Sequence, residues 1–110
     1  MEIPLIEKKC RACELGEGKL GPADVAAFMT HVQSWTVKNN HEISREFKFK
    51  NFTLALAFVN KVGTLAESEG HHPDIEFGWG YVHITLFTHA VKGLSENDFI
   101  MAAKIDTLPH

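Results

Sequence analysis

The chain has 110 residues, 45% of them hydrophobic and 23% charged. That suffices for one compact core and one shallow site, and falls short of a TIM barrel or a full dinucleotide-binding domain, which take about 200 residues or more. Eleven Lys and Arg against fourteen Asp and Glu leave a net charge of −3, which disfavours a general nucleic-acid binder.

No apolar run approaches the roughly 18–20 residues of a membrane span. Residues 1–20 alternate charged with apolar side chains and carry no signal-like apolar core, so a cytoplasmic location is expected. These residues read as a loosely held N-terminal arm, and 21–110 as a single domain. Within the arm, Cys10 and Cys13 form a C-x-x-C. No second pair completes a zinc site, and no strand precedes it as in a thioredoxin-type motif. Free thiols on the arm are the expectation.

The first clear element opens at Gly21-Pro22, with Pro suited to the first helical position. Val25, Phe28, Met29, Val32 and Trp35 make one apolar stripe, predicting a helix that ends near Gln33 or Ser34. From Trp35 the period changes to two. Trp35–Lys38 is a short strand candidate, Asn39-Asn40 a turn, and Ile43, Phe47 and Phe49 mark a half-buried strand. Asn51 suits the N-cap of a second helix over Phe52–Glu69, with Phe52, Ala55, Leu56, Val59, Val62 and Ala66 as its buried face. Gly63 interrupts it, and a close approach of helix to sheet would explain that glycine. Gly70 suits the position past its end. Ile75, Phe77 and Trp79 then alternate with polar residues, and after a turn at Gly80 so do Val82, Ile84 and Leu86, giving a hairpin. Ser95 and Asp98 form a capping box that opens a last helix, about Glu96–Ile105. The fold class is α+β: a four-stranded antiparallel sheet with three helices on one face, in the order α-β-β-α-β-β-α.

Seven histidines stand out in this length. His71 and His72, followed by the stiffening Pro73, introduce the hairpin, and His89 lies at the end of its second strand. An antiparallel pair brings those two places together. Imidazoles titrate near neutrality, so three of them beside Glu67 and Glu69 suit proton transfer. A metal site is the weaker reading, because H-x-x-x-H spacing is absent and adjacent histidines seldom chelate one ion. His31, His41 and His83 are isolated and are taken as structural or exposed. No G-x-S-x-G elbow and no Gly-rich phosphate loop is present.

The runs E-G-H-H-P-D at Glu69–Asp74, V-H-I-T-L-F-T-H at Val82–His89 and K-G-L-S-E-N-D at Lys92–Asp98 resemble the pterin-4a-carbinolamine dehydratase family. Weaker agreement at Phe47–Phe52 and Trp35 extends the resemblance over Trp35 to about Asp106. It implies dehydration of 4a-hydroxytetrahydropterin to quinonoid dihydropterin, recycling the cofactor of aromatic amino-acid hydroxylases. It places the catalytic histidines on His71, His72 and His89, and accessory acids on Glu67 and Asp98. Pro73 and Trp79 are expected as substrate-binding or accessory residues, with Trp79 standing where the family often has Tyr. The chemistry calls for no metal and no cofactor. A pterin substrate and a homodimer or homotetramer are the expected partners, with a functional link to a hydroxylase and neither nucleic acid nor membrane. The alternative is a non-catalytic role as dimerisation partner of a transcription factor, a role found among relatives.

Overall fold

The computed structural model describes residues 4–11 and 18–110. Helix α1 (Pro22–Met29) leads to strands β1 (Thr36–Lys38) and β2 (Glu42–Lys48). Helix α2 (Phe52–Glu69) follows, then β3 (Asp74–Gly78), β4 (Tyr81–Leu86) and helix α3 (Glu96–Asp106). Single 3-10 turns occupy Leu5–Glu7 and His89–Val91. The sheet is antiparallel throughout, in the order β1-β2-β4-β3. Helix α2 therefore carries the chain past β4 to the far edge, and β4 returns between its neighbours.

One sheet face is apolar and the other wet. Ile43 and Phe47 of β2 and Val82, Ile84 and Leu86 of β4 are buried against the helices. Ser44, Glu46, His83 and Thr85 pair across the opposite face. Three residues form the β1–β2 turn; Asn39 and Asn40 take φ of 54° and 52°, matching the twist of a hairpin. At the β3–β4 turn, Gly80 takes φ 83°.

Helix α2 keeps the predicted bounds. Asn51 Oδ1 accepts from the Leu54 N–H at 2.9 Å, and Gly70 closes the helix at φ 68°. Its buried face keeps Ala55, Val62 and Ala66 of the stripe read in the sequence, with Val59 packed at its edge, but departs from it at three positions. Ala55, Phe58, Val62 and Ala66 face the sheet, while Phe52 and Leu56 are 45% and 39% exposed. The helix carries two overlapping apolar stripes, and Phe58 wins because its ring packs between Phe47 and Phe49. The expected close approach at Gly63 is absent: a Cβ there would meet nothing within 4 Å. Helix α1 stops at Met29, short of the predicted end, and Val32 and Trp35 are buried from a turn instead.

Helix α3 is buried on nearly every side. The sheet and α2 cover one flank; Phe28 of α1 stacks on Phe99 at 5.2 Å. Residues 4–11 also lie against α3, with Leu5 in the core and Lys8 Nζ 2.5 Å from Glu96 Oε2. Cys10 is half-buried, its Sγ 3.6 Å from the Asn97 carbonyl oxygen. Burial, with Glu69 beside it, pushes this thiol up to about 12, so it stays protonated and unreactive near neutrality. Cys13 lies outside the described residues. No helix among the described residues is long and apolar enough to cross a membrane.

Candidate active site

The left-handed turn at Gly70 ends α2 and releases His71-His72-Pro73 as an irregular lead into β3. Strand β4 runs back beside β3, pairing Thr85 with Asp74. Its exit, through Phe87 and Thr88 into the turn at His89, therefore returns to where His71 and His72 stand. His71, His72, Pro73 and His89 line one cleft of about 380 Å³. The sequence-predicted convergence of three imidazoles is thus what this topology produces.

Each imidazole has a different environment. His71 is largely buried, with its Nε2 2.6 Å from Oδ1 of the fully buried Asp98. The other Asp98 oxygen accepts from Thr88 Oγ1 at 2.8 Å and from the Ser95 backbone N–H at 2.9 Å. Thr88 Oγ1 and Ser95 Oγ are also 2.7 Å apart. A buried carboxylate needs such donors to offset its lost hydration. With Asp98 ionised, His71 donates through Nε2–H, which leaves Nδ1 as the nitrogen available for proton exchange. His72 instead pairs through Nε2 with Glu67, and both side chains are mostly exposed. The His89 ring lies 4.3 Å from that of Phe87.

Asp98 therefore serves two purposes, one with each oxygen. It completes the capping box of α3 and it holds His71. Trp79 is not brought to the cleft; it sits in the β3–β4 turn at the opposite end of the hairpin, 73% exposed. His31 and His41 are exposed, and His83 Nδ1 stands 3.7 Å from Glu46 Oε1 on the wet face. Thr88, Phe87, Asn97 and Arg11 also line the cleft and were not singled out from the sequence. Asn97 fixes the arm there, accepting from the Arg11 N–H at 3.0 Å and donating to the Arg11 carbonyl at 2.5 Å. A hydroxyl before His89 at a strand exit was the available signal for Thr88; for Arg11, nothing local marked it. Among the described residues, no three His, Cys, Asp or Glu side chains are grouped as metal ligands.

An open antiparallel sheet backed by helices, with three imidazoles lining a cleft at one end, defines the class: a small α+β domain with a histidine-lined cleft. The family model for Pterin 4 alpha carbinolamine dehydratase matches residues 18–108, and the chain belongs to that family. It is 52% identical over 103 residues to the Alkaliphilus metalliredigens protein named "Putative pterin-4-alpha-carbinolamine dehydratase", covering 93% of each chain. It is 47% identical over 104 residues to the Rubrobacter xylanophilus protein of the same name, covering 94% of this chain and 97% of that one. Among solved structures, a Brucella melitensis transcriptional coactivator/pterin dehydratase superposes with TM-score 0.75 at 31% identity, over 80% of this chain and 95% of that one. A pterin dehydratase-like protein described as a RuBisCO assembly factor in the alpha-carboxysome gives TM-score 0.57 at 31% identity, over 69% and 89% of the two chains.

Proposed function

We propose that this chain catalyses the dehydration of a 4a-hydroxytetrahydropterin to the quinonoid dihydropterin, regenerating the cofactor precursor of an aromatic amino-acid hydroxylase. Carbon C4a of the substrate carries the hydroxyl, and the neighbouring N5 carries a proton. An acid protonates the hydroxyl, which departs as water. A base takes the N5 proton as the C4a–N5 double bond forms. One proton is given and one is taken, with no change of oxidation state.

The observation that carries this reading is the meeting of three imidazoles in one cleft, one of them held by a buried carboxylate. His71 and His89 act as acids toward the hydroxyl, and His72 holds the pterin and accepts the N5 proton. Asp98 positions His71, Glu67 accompanies His72, and Pro73 stiffens the segment that carries both histidines. General acid–base help of this kind is worth about 10²–10⁴-fold. A homodimer or homotetramer fits the two open sheet edges, β1 and β3.

The test is dehydration of a chemically prepared carbinolamine by His71→Ala, His72→Ala and His89→Ala variants that melt like the parent. Each is expected to lose about tenfold or more in turnover. Parental rates in all three would overturn the assignment. The Brucella relative is also described as a transcriptional coactivator. A purely non-catalytic interaction role of that kind would leave the imidazole cluster idle, so the same variants separate the two.

A further inference from the structure

A second cleft, also of about 380 Å³, lies across a narrow ridge from the histidine cleft. Lys19, Lys92, His41, Asn39 and Asn40 line it. The ridge is the Phe87 ring and the single turn His89–Val91. The His41 ring stacks on Phe87 at 5.5 Å, and the His89 ring lies tilted 4.3 Å from the same Phe87. The turn likewise presents His89 to the first cleft and Lys92, three residues on, to the second.

The loop beside this cleft carries a conformational cost at Lys92 and is covered by the Lys19 side chain. Lys92 takes φ 52°, a left-handed conformation that glycine would adopt without steric cost. The stem of Lys19 lies across Gly93, where an added Cβ would come within 2.9 Å of its Cε. The Leu20 N–H holds this segment in place by a 2.8 Å bond to the Leu94 carbonyl. Two ammonium-bearing side chains from separate segments, Lys19 before α1 and Lys92 after β4, are thus gathered at one cleft, and neither meets a carboxylate among the described residues. Among the lining residues only His41 has an acidic neighbour, Glu42, at 3.9 Å. Like charges collected in a concave site without counter-charges favour an anion.

We propose that this second cleft is an anion subsite, and that the substrate is a pterin whose C6 side chain ends in a phosphate monoester. The inference rests on the dehydratase reading given above. In the pterin ring C6 is bonded to N5, so holding N5 and C4a at the histidines makes the side chain leave the ring beside them. From there it crosses the Phe87–His89 ridge, and its phosphate meets Lys19 and Lys92. Lysine suits this task as a flexible point charge for phosphate oxygens.

The experiment compares two carbinolamines, one with a polyhydroxylated C6 side chain and one with the terminal phosphate monoester of the same side chain. It uses the parent and the double variant Lys19→Gln/Lys92→Gly. Glycine at 92 relieves the backbone conformation, and a thermal melt verifies folding. The readout is the ratio of kcat/KM for the ester to that for the unphosphorylated compound. The parent is expected to favour the ester by about tenfold or more through KM, and less so at high salt. In the double variant the ratio is expected to fall close to one. Equal kcat/KM values in the parent would overturn the inference while leaving the dehydratase reading intact. If neither compound is dehydrated, that reading fails, and equilibrium binding of the oxidised pterin and its ester decides the subsite. Tighter binding of the ester, lost in the double variant, supports the subsite; equal binding overturns it. Inorganic phosphate binding the parent as tightly as the ester, and lost in the double variant, would show a free-anion site and overturn the substrate assignment.

Discussion

His71 Nε2 lies 2.6 Å from Asp98 Oδ1, and this one contact ties the end of α2 to the first turn of α3. The residues are 27 apart in the chain. Asp98 cannot adjust freely, because Oδ2 is held by Thr88 and by the Ser95 N–H that opens the helix. The imidazole orientation is therefore set by a helix cap, and helix stability and site geometry share a single side chain.

Asp98→Asn keeps the size and removes the charge. One carboxylate oxygen becomes a donor facing at least one other donor in a fully buried site. Loss of a buried charge-assisted hydrogen bond costs about 1.5–3 kcal/mol. The variant is expected to melt lower by that amount and to lose about 10²-fold or more in turnover. Parental turnover together with a lower melting temperature would restrict Asp98 to capping.

Glu67→Gln should behave differently. Glu67 and His72 pair in the open, with side chains 79% and 61% exposed. Such pairs contribute about 0–1 kcal/mol. The melt is expected to move little, and turnover to fall by less than about tenfold. A collapse of activity comparable to that of Asp98→Asn would show that Glu67 acts on the substrate directly.

The sequence made α2 legible to the residue because Asn51 and Gly70 are strong stop signals at both ends. It made the convergence of His71, His72 and His89 legible because register in a short hairpin leaves little choice. It placed Ala55, Val62 and Ala66 of α2 in the core but added Phe52 and Leu56 and omitted Phe58, since all three are equally apolar. Only the sheet opposite decides between them. The overlong α1 has a related cause: Val32 and Trp35 continue the helical spacing yet reach the core from a turn. The arm was harder still. Its contacts with Glu96, Asn97 and Glu69 span 59 to 88 residues of sequence, beyond any local pattern.

Two glycines of α2 should respond in opposite directions. Gly63 lies mid-helix with open space where a Cβ would go. Gly63→Ala is expected to stabilise by about 0.5–1 kcal/mol, by lowering the entropy of the unfolded chain. Gly70 also has space, but its φ is +68°. Gly70→Ala is expected to cost about 1–2 kcal/mol. Denaturant melts of the two variants check both signs. A destabilising Gly63→Ala would mean that something packs against that face in the assembled protein.

The last prediction concerns Glu69 and acid. Two carboxylates in the final turn of α2 oppose the helix dipole, and cations would be the stabilising choice. Glu69 is instead stabilised from outside its helix. Its carboxylate accepts from Lys104 Nζ at 2.6 Å and from the Cys10 N–H at 2.9 Å, with Lys9 Nζ at 3.7 Å. Burial alone would raise its affinity for a proton. The Lys104 and Cys10 hydrogen bonds and the charges of Lys104 and Lys9 outweigh that and hold the carboxyl below its ordinary 4.5. A depressed carboxyl contributes stability that is complete above the unfolded value and lost as pH falls through the lower folded one. The stability gap between the parent and Glu69→Gln is therefore expected to be constant above about pH 5.5 and to close in acid. Amide exchange at Leu5–Cys10 should accelerate over the same acid range, because protonating Glu69 loosens the arm from α2 and α3. A gap of equal size at every pH, or arm amides indifferent to acid, would show that Glu69 acts through packing and not through its charge.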